Sequence, residues 1–280
     1  MPDMTASVPS AMSHRVLTVC GGTDIGKERG QNQDTFVIAD LASGELSRPC
    51  IRTDLSVSKP GLLLLVCDGM GGPPAGDIAA QMAATRITDE MADAGSAVMK
   101  APGPTLKSAV EGANRAILAE ADAHPEEEGM GTTCTAAVFA PDHVSFAQVG
   151  DSRAYLLRDG RLSLLTRDQT VAAQMVDAGL LNPDQVEHFP YRHVLVQALG
   201  TKGVVKPVIT DLTLKEHDRV LLCSDGLHGP VSDDAIAAIL KVSGDVGHAA
   251  RALIAAALAA GGPDNVTVVV AECGPLQAAS

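Results

Sequence analysis

The chain has 280 residues, 46% of them hydrophobic, enough for a sizeable core in one large domain or two small ones. Aromatic residues make up only 2%, with no Trp, so Leu, Val, Ile and Ala must fill the core and no platform for stacking nucleic-acid bases is offered. With 21 basic against 34 acidic residues the net charge is −13, which argues against broad contact with a nucleic-acid backbone.

Residues 1–14 lack a basic start followed by an apolar stretch, so they read as a flexible tail rather than a signal peptide. RVLTVC (15–20) and DTFVIAD (34–40) are strand candidates joined by a polar, glycine-containing connection, and residues 41–60 look like a loop. LLLLVC (62–67) has the length and apolarity of a strand buried on both faces. Alanine-rich residues 75–93 and a segment at about 105–123 carry helical spacing, and HPEEEGMGTT (124–133) is a charged loop closing on glycines.

Short strands follow in TCTAAVFA, HVSFAQVG and SRAYLLRDGRLSLLT, where Asp159-Gly160 signals a two-residue hairpin because a type I′ turn needs positive φ at both central positions. Residues 168–200 read as a mostly helical insertion. Strands are expected at 207–213 and 218–224, helices at about 232–240 and 245–260, then the strand NVTVVVAEC and a short tail at 274–280. The order suggests one α+β domain over residues 15–273, antiparallel sheets with paired helices outside them. The longest apolar window, 249–260, is broken by Arg251 and is too short to span a bilayer, so a soluble, cytoplasmic protein without a membrane partner is expected. The six cysteines (20, 50, 67, 134, 223, 273) show no C-x-x-C, which points to buried reduced thiols rather than a zinc site or a disulfide framework.

The chemistry lies where apolar strands run into carboxylates. Asp68 follows LLLLVC and precedes Gly-Met-Gly-Gly; Asp225 repeats the design in VLLCSDGL; Asp264 begins the last strand; Asp151 lies between two strands and Asp34 at another strand edge. A lone Asp-Gly is an ordinary turn, but five such aspartates are hard to explain separately. Gathered at one end of a sheet they would repel one another unless some are protonated or cations neutralise them. All-oxygen ligands favour Mg²⁺ or Mn²⁺ over zinc, and two such ions about 3.5–4 Å apart acidify a bridging water enough to make it a nucleophile for phosphorus. Arg29, in GKERGQNQD, presents a planar fork for two phosphoryl oxygens, although an isolated Arg beside Glu is ordinarily a solvated ion pair.

At these residues the chain resembles the metal-dependent serine/threonine protein phosphatases of type 2C, in their bacterial form. RGQNQD (29–34), DGMGG (68–72), MGTT (130–133), VGDSRAYLLRDG (149–160), LTRD (165–168), YRHVLVQALG (191–200), SDGL (224–227) and GPDNVT (262–267) stand in the family's order and cover about residues 16–272. The resemblance implies a four-layer sandwich of two antiparallel β-sheets flanked by pairs of α-helices. It further implies hydrolysis of phosphoserine and phosphothreonine by a water or hydroxide bridging two Mg or Mn ions. Asp68 would bridge the ions, Gly69 would lend its carbonyl to one, and Asp225 and Asp264, beside Asn265, would complete the other's shell. Arg29 would clamp the phosphate, Asp34 would orient waters, Asp151 would serve a third, weaker metal site, and residues 168–200 would form a flap beside the site. Partners would be phosphorylated Ser/Thr proteins and a cognate Ser/Thr kinase.

Departures from the family pattern are Gln33 where many members have Glu, Met70 where eukaryotic members often carry a proton-donating His, and Pro73 and Gln169 where bacterial relatives commonly show His. The rival G-x-x-x-x-G-K match in GGTDIGKE lacks the Ser or Thr, and the following helix, that a nucleotide-binding loop requires. A second alternative is a phosphopeptide-binding module with an inactive phosphatase fold, against which every aspartate position is filled. A third keeps the chemistry with a small phosphate ester as substrate.

Overall fold

The computed structural model describes residues 13–278 apart from 44, 47–48, 57–58, 73–74 and 125–128. Residues 1–12 of the expected tail, four residues of the expected charged loop and Pro73 therefore lie outside the described residues.

In chain order the first half holds β1 (Ser13–Asp24), β2 (Asp34–Asp40), β3 (Glu45–Leu46), β4 (Cys50–Ser56), β5 (Leu62–Met70), α1 (Ala75–Ala94), α2 (Ser96–Lys100), α3 (Pro102–Ala123), β6 (Gly131–Thr132) and β7 (Cys134–Phe139). The second half holds β8 (His143–Val149), β9 (Arg153–Arg158), β10 (Arg161–Leu164), α4 (Val171–Asp177), β11 (Val208–Thr213), β12 (Arg219–Cys223), α5 (Asp225–His228), α6 (Asp233–Val242), α7 (Val246–Ala259) and β13 (Val266–Ala278). Among the described residues one sheet has the order β10–β9–β12–β13–β1–β4 and the other β11–β8–β7–β5–β2–β3, with β6 attached to β5.

Every strand pairing is antiparallel. The β5 run explains why a two-sided buried strand was legible. Leu63, Leu65 and Cys67 pack under α1 and α3, while Leu62, Leu64 and Val66 turn the other way, into the layer between the sheets. β13 does the same on the opposite sheet: Val269, Ala271 and Cys273 face the inter-sheet core, and Val266, Val268 and Val270 face α6 and α7. Three apolar layers thus separate four layers of backbone, the expected four-layer sandwich. Ala79, Ala80, Ala83 and Ala84 line the buried face of α1 and let that helix lie close to the sheet. The Asp159-Gly160 turn between β9 and β10 has positive φ at both residues, 51° and 72°, as its sequence requires.

Four expectations change. Residues 45–46 and 50–56, expected to be loop, are strands: β4 reads CIRTDLS, alternates exposed and half-buried positions, and owes its conformation to pairing with β1 rather than to an apolar pattern. The insertion at 168–200 is helical only in α4 and a 3₁₀ turn, Pro183–His188. Its second half instead runs alongside other segments, with bridges from Leu195 to Thr170 and from Leu199 to Thr132. At the C-terminus β13 continues past residue 273 to Ala278, pairing Ala278 with Ser13 and Gln277 with His14, so neither residues 274–278 nor residues 13–14 belong to a tail. Finally Cys20 and Cys50, expected as free thiols, are joined in a disulfide; they oppose each other across β1 and β4, a proximity that sequence separation conceals. The other four cysteines are free and buried.

Candidate metal and phosphate site

Strand register brings the five aspartates to one end of the sandwich. Asp34 begins β2 directly opposite Asp68 near the end of β5. On the other sheet β12 ends at Cys223, opposite Val268 near the start of β13, so Asp225 and Asp264 emerge on the same side. Asp151 sits in the tight connection from β8 to β9, next to Gly150 with φ at 99°.

The Asp68 backbone is fixed by two consecutive threonines of MGTT. Its N–H donates to Thr133 Oγ1 at 3.0 Å, and its carbonyl accepts from Thr133 N at 2.9 Å and Thr132 Oγ1 at 3.0 Å. Gly69 has to be glycine, since a Cβ there would stand 2.1 Å from the carbonyl oxygen of Gly76 and 2.8 Å from that of Gln33. Asn265 braces the loop that carries Arg29 and Asp34. Its Nδ2 donates to the carbonyls of Ile25 (2.9 Å) and Gln31 (3.0 Å), and its Oδ1 accepts from Gln33 N at 2.8 Å. Asp34 is 7% exposed, and its Oδ2 accepts from Ser224 Oγ at 2.7 Å, a hydrogen bond that ties one sheet to the other.

The electrostatics are those of uncompensated negative charge. Burial, followed by Asp34, Asp225, Asp151 and Asp264, lifts the Asp68 carboxyl far above the ordinary carboxylate range. Burial lifts Asp34 to about 7 against the lowering effect of Ser224 and Thr267. Burial, then Asp225 and Asp168, lifts Asp151 to about 8. Asp225 is raised by burial and then by Asp264, against the lowering influence of Asp68. Oδ1 of Asp34 and Oδ1 of Asp225 are buried without a hydrogen-bond partner. His228 is held neutral, lowered to about 4 mainly by burial, and donates from Nε2 to the Asp151 carbonyl at 3.1 Å.

Among the described residues no three His, Cys, Asp or Glu side chains already stand as one ion's ligand shell. The contacts give the reason. Asp264 is drawn to Arg29, whose Nη2 lies 2.6 Å from Oδ2, while Asp34 is engaged by Ser224. Arg29 also feels Asp225 and Asp68, so its guanidinium faces the whole group. The donor set nevertheless fits hard divalent cations: it is all oxygen, two of its oxygens are orphaned in the interior, and burial and mutual repulsion raise several of its carboxyls above their ordinary range.

The segment 168–200 is tied to the Asp151 turn by three glutamines. Gln169 Oε1 accepts from Gly150 N at 2.8 Å and from Gln197 Nε2 at 2.9 Å. Gln148 Nε2 reaches the carbonyls of Gly150 and Arg167, both at 2.9 Å, and Gln197 bonds both backbone groups of Lys206. Ser224, Thr133, His228, Gln148 and Gln197 were not singled out from the sequence, whereas Gln169 was noted there only as a departure from the family pattern. Ser224 and Thr133 stood inside the quoted motifs SDGL and MGTT, but their partners are long-range and no spacing records them.

Comparison with known proteins supplies the remaining findings. The profile of the family described as Protein phosphatase 2C matches residues 52–258. The chain is 43% identical over 240 residues to the serine/threonine protein phosphatase PstP of Mycobacterium tuberculosis, covering 85% of this chain and 45% of PstP. It therefore spans a little under half the length of that relative. It is 33% identical over 211 residues to the serine/threonine phosphatase stp of Listeria welshimeri, covering 75% of this chain and 84% of the other. Its fold matches the crystal structure of the PstP catalytic domain in complex with two manganese ions, with a TM-score of 0.75, 36% identity, and coverage of 93% and 99% of the two chains.

Proposed function

Because the chain belongs to the protein phosphatase 2C family, we propose that it is a metal-dependent serine/threonine protein phosphatase. One observation carries the reading: five aspartates from separate segments meet at one end of the sandwich, where burial and mutual repulsion leave them short of positive charge, with Arg29 facing them. Asp68, the Gly69 carbonyl, Asp225 and Asp264 would hold two Mg²⁺ or Mn²⁺ ions, and Asp151 would serve a third, weaker site. When bound, the ions would polarise the phosphoryl group and acidify a water for direct attack on phosphorus, so no phosphoenzyme forms.

The chain's own groups do the rest. Arg29 exchanges its ion pair with Asp264 for two phosphoryl oxygens, a bidentate geometry its planar fork favours. The exchange releases Asp264 for a ligand role. Asp34, held by Ser224 and carrying a proton near neutral pH before ions arrive, orients water once it ionises. Met70 cannot donate a proton to the leaving alkoxide, so that proton comes from water. Cys67 and Cys223 take no part, since the Cys134 thiol and then burial push the Cys67 thiol up, burial pushes the Cys223 thiol up, and both stay protonated. Residues 168–200 act as a flap beside the site. The substrates are phosphoserine and phosphothreonine proteins, and a Ser/Thr kinase is the natural opposing partner. Among the described residues no helix is long and apolar enough to cross a membrane.

The test is phosphate release from a phosphopeptide panel with Mn²⁺, with and without chelator. Metal-dependent release supports the proposal. Binding of phosphopeptide without release by metal-loaded protein would instead establish the inactive binding module.

A further inference from the structure

Cys20 lies on β1 and Cys50 opens β4, where the antiparallel register sets them directly opposite and a disulfide joins them. The two sulfurs have unlike surroundings. Cys50 is exposed, on the outermost strand of its sheet. Cys20 is 7% exposed and packs on the first turn of α7: a Cβ on Gly247 would stand 3.3 Å from Cys20 Sγ and 3.5 Å from Nη1 of Arg251. The Asp245 carboxylate is near the same point, but it caps α7 through His248 N at 2.7 Å and faces Arg251, which offsets its charge. Cys20 therefore lies against the N-terminal turn of α7, with the Arg251 guanidinium in the same neighbourhood, and both favour a departing thiolate.

We propose that Cys50 is a site of reversible S-thiolation by low-molecular-weight thiols, with Cys20 as the leaving group. An external thiolate attacks Cys50 Sγ; the new S–S bond forms as the Cys20–Cys50 bond breaks, and Cys20 departs with the electron pair. A second thiolate attacks the outer sulfur of the mixed disulfide, returning Cys50 as a thiol. In sum two small thiols are oxidised to one small disulfide and the protein disulfide is reduced to a dithiol; the small disulfide drives the reverse. Attack falls on Cys50 because it is the sulfur solvent reaches. Breaking the bond does not release β4, which keeps its register with β1 from His14 opposite Ser56 to Val19 opposite Ile51. None of the aspartates or Arg29 takes part, so the proposal stands apart from the phosphatase reading.

The experiment exposes native protein to millimolar reduced glutathione, followed by acid quench, alkylation and peptide mapping by mass spectrometry. The expected course is a glutathione adduct on Cys50, then free Cys20 and Cys50, with Cys67, Cys134, Cys223 and Cys273 unlabelled; oxidised glutathione restores the disulfide. Arg251→Ala is expected to slow the first step about threefold, the consequence of raising the leaving thiol's pKa by roughly one. Cys50→Ser should abolish adduct formation. A disulfide that resists glutathione until denaturant is added, an adduct on Cys20, six free thiols in protein kept without reductant, or an unchanged rate in Arg251→Ala would overturn the proposal.

Discussion

Raising the pH of ion-free protein from 6.5 to 8 should destabilise it, and divalent ions should abolish the effect. Asp34 and Asp151 are lifted to about 7 and about 8, chiefly by burial, against about 3.9 in an unfolded chain. Groups raised in the fold hold protons there that the unfolded chain has released, so their stabilisation is complete below the unfolded value and is lost as pH rises through the folded one. His228 acts oppositely: it is lowered to about 4 and makes stability fall as pH drops below its unfolded value of about 6.5, so the window opens there. From pH 6.5 to 8 Asp151 alone contributes about 2 kcal/mol and Asp34 up to about 0.7 kcal/mol before its midpoint. At roughly 2–4 °C per kcal/mol the melting temperature should drop by about 5–10 °C. Thermal unfolding in chelator across that range measures it, and Mn²⁺ should flatten the profile because ions displace the retained protons. A flat or rising melting temperature in chelator would refute the claim that the carboxyl group is short of positive charge.

Ser224→Ala should cost about 1–3 kcal/mol, since it strips Asp34 Oδ2 of its 2.7 Å donor and Thr267 N of its acceptor, and chemical denaturation will show it. Cys67→Ser and Cys223→Ser should each retain substantial phosphatase turnover; complete loss in well-folded protein would point to a thiol in the chemistry. Gln197→Ala releases Gln169 and both backbone groups of Lys206, so limited proteolysis within 178–192 should quicken several-fold; unchanged cleavage would mean the glutamines do not restrain the flap.

What was legible in the sequence was what local pattern records. The run 62–67 announced a two-sided strand because each of its faces meets a separate apolar layer, and Asp159-Gly160 announced its turn through positive φ. β4 escaped notice because CIRTDLS has no buried run; its order comes from β1, thirty residues earlier. VLVQAL, apolar enough to suggest a helix, instead makes isolated bridges to Thr170 and Thr132 on either side of a bend. The aspartates could be nominated from their places at strand ends. Their present hydrogen bonds, Asp264 with Arg29 and Asp34 with Ser224, depend on sheets meeting face to face and left no mark in the order of residues.

The central claim is that these carboxylates form a divalent-ion site. Isothermal titration of the ion-free protein with Mn²⁺ near pH 7.5, for wild type, Asp68→Asn and Asp264→Asn, tests it most directly. Wild type should bind two ions, each substitution should weaken binding on the order of 100-fold or more, and proton release should accompany uptake. Wild type that takes up no Mn²⁺, or Asp68→Asn that binds it as wild type does, would contradict the account.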